Sequence, residues 1–476
     1  MTSLSHATLA SLPQAIARPG HALAEVTTGI VHFGPGAFHR AHQAAYIDRL
    51  LDSDPRWGIA AVSLRSAGTV DALKAQGGLY TLAVIDREKS MRVIAAHSDA
   101  IGPGEGAKLR ALLADPQVRI ATSTVTEKGY CLASDGTLDL AHPDIVHDLA
   151  RPAEPVSVIG WIVAGLSDRR DAGVAPFAVL CCDNMTGNGG KLRAACVKLA
   201  QQYDPALAAW IEGVAFPDSM VDSITPASDA AFLSHVAHEI GVTDDAAVQR
   251  EGFTQWVLQR FDMADGPDLA SVGVTLTNDV RGFEQAKLRI LNGAHSSLAY
   301  IGLALGLETV FEAMSDPALE GFITRLVHSD IALSLKPVEG LDVSAYADAV
   351  LDRFRNPEIR HLLSQIAWDG SQKLPYRLLD TIQDELEAGR SIDRLAVPIA
   401  AWIAFIRHKA QAGEKITDPL ADVLAEAATG SDVATAMLAL RQVFPEKLAA
   451  DPRFRHAVTE ALLPFLDGHP ESLLTR

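Results

Sequence analysis

Short runs of β-branched and apolar residues punctuate the first 280 positions, each closed by a glycine-rich or polar turn. Residues 26–33 (VTTGIVHF), 57–64 (WGIAAVSL), 118–125 and 177–182 (FAVLCC) predict strands. The last is apolar without interruption, which is the pattern of a central strand in a parallel sheet covered on both faces. Residues 79–85 and 91–96 predict a hairpin turning over 86–90. Helices are expected at 40–51, 156–171 and from about 191. Beyond residue 283 the texture changes to amphipathic helices with short turns, expected at 317–329, 343–355, 359–366, 376–388, 397–412 and 434–444, with a polar loop over 367–375. Strands mixed with helices and then helices alone predict an α/β domain over residues 1–282 and a mainly α-helical domain over 283–476.

One segment departs from its own pattern. Residues 283–305 (FEQAKLRILNGAHSSLAYIGLAL) contain no proline. At ~100° per residue they set Leu291, Ala294, Leu298, Ile301 and Leu305 on one helical stripe. Lys287 falls on that stripe, and Asn292 and His295 lie along its edge, within ~140° of the lysine. Desolvating an ammonium group is costly. Two readings follow. The lysine snorkels to the surface beside a hydrogen-bonded histidine, or it is held away from water as a neutral amine able to accept a proton near neutral pH.

Composition narrows the classes. With 48% hydrophobic and 21% charged residues the chain is globular in type, and a formal charge of −18 argues against binding nucleic acid or an anionic membrane. The longest apolar run, 156–166, is too short to span a bilayer, and 1–20 lacks the apolar core of a signal peptide. Cys131, Cys181, Cys182 and Cys196 form no metal-binding spacing. A soluble, cytoplasmic protein is the expectation, with its oligomeric state open.

The first strand runs into Gly34-Pro35-Gly36-Ala37-Phe38-His39 and then a helix, the setting in which paired glycines admit a dinucleotide pyrophosphate. His39 replaces the third glycine of that fingerprint. The second strand ends at Arg65 with no acid for an adenosine ribose, so Arg65 either meets a 2′-phosphate or is a surface residue, and NAD and NADP both stay open. Glu127 follows the strand at 118–125, where open α/β sheets bind ligands. Asn184 follows the strand at 177–182, placed to donate an amide hydrogen bond to a reacting oxygen. Each also suits an ordinary turn.

The segments FGPGAFHRAH (33–42), TEKGY (126–130), CDNMTGNGG (182–190) and KLRILNGAHS (287–296) resemble the polyol-specific long-chain dehydrogenases. The resemblance runs from about residue 26 to at least 380. It implies a Rossmann-like N-terminal domain, a helical C-terminal domain, a site in the cleft between them, and hydride transfer with NAD and no metal. Carried onto matching positions, it implies Lys287 as general base, Asn184 and Asn292 on the alcohol oxygen, His295 orienting substrate and Glu127 relaying protons. Asp222 and Lys373 would line the substrate pocket, and Gly34, Gly36, Ala37, Phe38, His39 and Arg65 would face the cofactor. The leading reaction is oxidation of a polyol to a ketose, D-mannitol to D-fructose, with arabinitol and sorbitol as kin. A sugar-uronate (fructuronate-type) reductase is the alternative, disfavoured by Ser223, which stands where the family pattern carries an arginine. From a different class, a zinc hydrolase would use His39 and His42, spaced HxxH, with Glu127.

Overall fold

The structure, a computed structural model, describes residues 2–86 and 88–475. It divides into two compact units, Met1–Arg281 and Gly282–Arg476. In chain order the strands of the first unit are β1 (Thr28–Phe33), β2 (Gly58–Val62), β3 (Tyr80–Val84), β4 (Ser90–Ile94), β5 (His97–Ile101), β6 (Ile120–Ser123), β7 (Ala178–Cys181), β8 (Ser219–Asp222), β9 (Val248–Arg250), β10 (Gln255–Gln259) and β11 (Thr275–Thr277). Five of them form an all-parallel Rossmann-type sheet in the order β5-β2-β1-β6-β7. The order reverses at β1, so the crevice beyond the carboxyl ends of β1, β2 and β6 is the topological switch point.

Both faces of that sheet are apolar because both are covered. Val31, Phe33, Val62, Ala121 and Val179 lie in one core cluster with residues of the helices Val158–Asp171 and Asn188–Ala200. Ile30, Ile59, Ala61, Ile120 and Leu180 lie in another with Tyr46, Tyr80 and Trp256. The FAVLCC segment is an edge strand of this sheet rather than a central one. An unbroken apolar run reports coverage on both faces, and β7 has that coverage while Val179 sends its N–H to the Ala215 carbonyl, 3.0 Å away.

β3 and β4 pair antiparallel, with β9 joined parallel to β3; Arg87, in the expected 86–90 turn, lies outside the described residues. A third sheet runs β11-β10-β8. The helix expected at 40–51 is two, Ala37–Ala41 and Gln43–Leu50, broken at His42. There the imidazole Nε2 lies 2.9 Å from the Gln255 carbonyl, and the ring sits between those of Phe38 and Tyr46.

The second unit is helical, but its key segment is not one α-helix. Val280–Ala286 is α, Lys287–Asn292 is a π-helical turn, and Gly293–Ala304 is α again. The helix Pro317–Leu326 likewise continues into a π turn, Val327–Ile331. The expected polar loop at 367–375 holds a short helix, Gly370–Leu374, leading through the π turn Pro375–Leu379 into Asp380–Glu387. The turn Lys287–Asn292 packs against both other π turns. The expected helix 359–366 shrinks to Leu363–Ile366. Pro357 disfavours helical geometry before it, and the Asn356 side chain accepts the Glu358 N–H in a turn at 3.0 Å. Val433–Leu438 replaces the longer helix expected at 434–444.

The single apolar stripe is also revised. Every residue from 293 to 302 is buried, including Ser296 and Ser297, while Leu305 beyond the helix is half-buried. This is a central helix covered all round. Glycine at 293 is required by close packing, since a Cβ there would stand 2.8 Å from the Arg377 carbonyl oxygen.

Candidate active site

In the first unit the carboxyl ends of the parallel strands carry the predicted nucleotide turn. Gly34 has φ +89°, and a Cβ there would collide with the carbonyl oxygen of Thr124, directly after β6, so both backbone conformation and space exclude a side chain. Gly36 is exposed, and the nearest atom to a Cβ there is the Gly34 carbonyl at 3.9 Å. A tight turn with an open outer surface at the switch point fits a dinucleotide. Beside it lies a cavity of about 280 Å³ lined by Phe33, Gly34, Ser63, Arg65, Thr126 and Lys128, among others.

The ring of His39 does not face that opening. It is buried, stacked 3.4 Å from His32, with Nε2 3.1 Å from His97 Nε2. The residue in the third-glycine position therefore packs inward, which leaves only its backbone for a nucleotide. His32 in turn links Thr122 (2.7 Å), Thr124 (3.0 Å) and the Gly34 carbonyl (3.2 Å), tying the turn to β6. Burial pushes His32 and His97 down to about 3 and holds His39 well below the usual imidazole value. These three stay uncharged at neutral pH.

His39, His42 and Glu127 form no metal-binding group among the described residues. The break at His42 removes the common helical face that the HxxH spacing would need, which corrects the zinc-hydrolase expectation. A Cys131, His142 and Asp144 cluster does have ligand atoms within 4.8 Å of one another. It suits a cation poorly. Asp144 is ion-paired with Arg65, His142 Nδ1 accepts the Asp144 N–H at 3.2 Å, and burial pushes the Cys131 thiol up to about 11.

Glu127 opens a short 3₁₀ turn, Glu127–Tyr130, and is exposed. Two non-glycine residues with positive φ, Thr126 (66°) and Cys131 (54°), bracket this turn. Such strain persists only where surrounding contacts impose it. Asp183, a residue the sequence reading passed over, imposes it. Its carboxylate accepts from Val125 N (2.9 Å), Thr126 N (3.2 Å) and the Tyr130 hydroxyl (2.6 Å). Burial raises its pKa against those hydrogen bonds. Asp183 thus anchors the Glu127 turn to the end of β7 and leaves its neighbour Asn184 exposed. The signal was its place directly after an apolar strand. Asp222 is buried at the end of β8, in a different sheet. Ser223 donates its hydroxyl to the Phe253 carbonyl at 3.0 Å.

In the second unit the π turn brings three predicted residues into one arrangement. In α geometry, five residues at ~100° each leave Lys287 and Asn292 ~140° apart. In a π turn the i→i+5 hydrogen bond closes the winding over that same interval, so the two stand one above the other. Lys287 and Asn292 are half-buried. Arg289, buried on the other side of the turn, pairs with Asp384 at 2.6 Å and Ser334 at 3.1 Å and fixes its rotation. One turn further on, His295 is buried with its ring 4.4 Å from Phe354 and 5.2 Å from His361. Burial, and then the charges of His361, Arg353 and Arg377, hold it well below the usual histidine value. His295 is thus a neutral hydrogen-bonding group and a weak proton acceptor.

Lys373 donates to the Trp368 carbonyl at 2.6 Å, and burial followed by the nearby Arg377 lowers its pKa. Arg377, itself lowered by burial, donates to Ser296 Oγ at 3.1 Å. Arg353, His361 and Arg377 were not foreseen. They come from three segments that only packing gathers around His295.

The description "Mannitol dehydrogenase Rossmann domain" matches residues 28–270, and "Mannitol dehydrogenase C-terminal domain" matches 279–465. The chain is 41% identical to D-mannonate oxidoreductase of Escherichia coli K12, over 94% of this chain and 95% of that one. It is 38% identical to mannitol 2-dehydrogenase of Cereibacter sphaeroides, over 83% and 84%. The solved ternary complex of Pseudomonas fluorescens mannitol 2-dehydrogenase with NAD and D-mannitol superposes with a TM-score of 0.79 at 34% identity, covering 100% of this chain and 99% of that one. No described helix is long and apolar enough to cross a membrane.

Proposed function

This chain belongs to the mannitol dehydrogenase family of oxidoreductases, and we propose that it interconverts a secondary carbinol and a ketone on an open-chain six-carbon substrate, with Lys287 as general base. The observation that carries this reading is the π turn, which stacks a half-buried amine and an amide one turn before a histidine too weakly basic to compete for the proton. The 34–38 turn and the ends of β1, β2 and β6 would hold NAD, which would supply the hydride acceptor for oxidation.

The neutral Lys287 amine takes the hydroxyl proton as the carbinol is oxidised, and the ammonium returns it to the ketone oxygen in reduction. Asn184 and Asn292 donate amide hydrogen bonds to that oxygen while negative charge builds on it, an effect worth roughly 3 kcal/mol per donor. His295 holds a substrate hydroxyl without adding charge, and the exposed Glu127 passes the proton to water. Asp222 and Lys373 bind hydroxyl groups further along the chain.

Arg353, Arg377 and Lys373 support a substrate that carries a carboxylate, of the D-mannonate type, over neutral D-mannitol. Desolvation depresses both Arg377 and Lys373, and an anion would relieve that cost. The D-mannonate oxidoreductase relative agrees with this choice, and the D-mannitol complex keeps the polyol as the second reading.

The test is a spectrophotometric assay with D-mannonate and D-mannitol, on wild type and Lys287→Ala. The expected result is a kcat/KM at least about tenfold higher for mannonate, and loss of about 10²–10⁴-fold in turnover in the variant, partly restored by added primary amines. Preference for mannitol would reverse the substrate choice. Undiminished turnover in Lys287→Ala would defeat the base assignment.

A further inference from the structure

β2 ends without the acidic residue that ordinarily meets the adenosine ribose, and Arg65 stands there instead, on the rim of the 280 Å³ cavity beside the Gly34 turn. By sequence Arg65 either suits a 2′-phosphate or is an ordinary surface residue. The structure adds a carboxylate from elsewhere. Asp144, in the first turn of the helix Pro143–Ala150, reaches across and forms an ion pair with the Arg65 guanidinium. The Asp144 side chain is 23% exposed while that of Arg65 is 73% exposed. The acid is therefore the more buried of the two, and the arginine reaches it from the exposed side.

An exposed ion pair adds little to stability. Its effect on an incoming dianion is another matter. With Asp144 present, the rim of the cavity offers a neutral pair in place of an unmatched cation, and a 2′-phosphate at Arg65 meets a carboxylate alongside. We infer that Asp144 is the cofactor-specificity residue of this protein: it neutralises Arg65 across 79 residues of sequence and so selects NAD(H) against NADP(H). This deepens the proposed function, and it rests on that reading in one respect, that the turn after β1 binds a nicotinamide nucleotide. Lys128 lines the same cavity and is present in every variant below, so it does not account for differences between them.

The test needs no sugar substrate. NADH and NADPH are titrated against the full chain, binding being read from the fluorescence of the reduced nicotinamide. Wild type is expected to favour NADH. Asp144→Asn, which removes the charge and keeps the size of the side chain, should tighten NADPH about tenfold, the scale of one unit charge acting on a nearby dianion in a water-like medium, and leave NADH within about twofold. Arg65→Ala in the Asp144→Asn background should abolish that gain, which a merely structural effect of Asp144 would not predict. An unchanged NADPH-to-NADH ratio in Asp144→Asn, a gain that survives the loss of Arg65, or a wild type that prefers NADPH each overturns the assignment. Failure of wild type to bind either nucleotide overturns the assignment and the proposed function together, whereas NADH binding with an insensitive ratio removes the assignment alone.

Discussion

Lowering the pH from 7 to 5 should weaken the first unit through the imidazoles packed under its nucleotide turn. His32 and His97 are held near a pKa of about 3 by burial, against about 6.5 in an unfolded chain. Between those values the unfolded chain binds protons that the native chain refuses. Stability is therefore at its full value above pH 6.5 and falls as the pH drops below it. At pH 5 each imidazole costs about 2 kcal/mol more than at pH 7, roughly 4 kcal/mol for the pair. His39 shifts in the same direction. That loss is a large part of the stability of a typical domain, about 5–15 kcal/mol. Buried carboxylates such as Asp48 and Asp244, raised by desolvation, act oppositely, so the comparison must cancel them. Urea unfolding of wild type and His97→Gln at pH 7, 6 and 5 does so, because glutamine keeps a polar side chain that does not titrate. The variant is expected to be less stable at pH 7, yet its further loss between pH 7 and pH 5 should be smaller by about 2 kcal/mol. Equal losses in the two proteins would show that His97 is protonated in the folded state and would refute the argument.

Gly34→Ala should destabilise by roughly 2–5 kcal/mol, combining the cost of a side chain at positive φ with a Cβ forced onto the Thr124 carbonyl. Thermal unfolding and nucleotide titration measure it, and an unshifted melting temperature would contradict the geometry. Asp183→Asn should lower kcat while sparing the pH optimum, because it loosens the Glu127 turn without touching the base; a shifted optimum in a kcat profile would instead give Asp183 a direct part in proton transfer.

The residues that carry local information were readable one after another. Strand, glycine turn and helix at 28–50 follow from apolar runs and from glycine's freedom at positive φ, and the change of texture near 283 follows from a change of period. The Lys287, Asn292 and His295 group was visible as polar chemistry on an apolar segment. Its geometry was not, because an α period was assumed where the chain winds as π, and a one-residue change of winding is set by what packs around it: the Pro375–Leu379 turn against Gly293 and the Arg289–Asp384 pair.

The misses share a cause. The edge position of β7, the anchoring by Asp183, the cations gathered around His295 and the pairing of Asp144 with Arg65 all join residues distant in sequence. Periodicity and turn chemistry report what each residue demands of its immediate neighbours and of solvent. Which remote side chain meets that demand is settled when the chain folds and desolvates both partners at once. In this protein the order of the chain announces an amine, two amides and a glycine turn, and packing decides which way they point and which charges stand beside them.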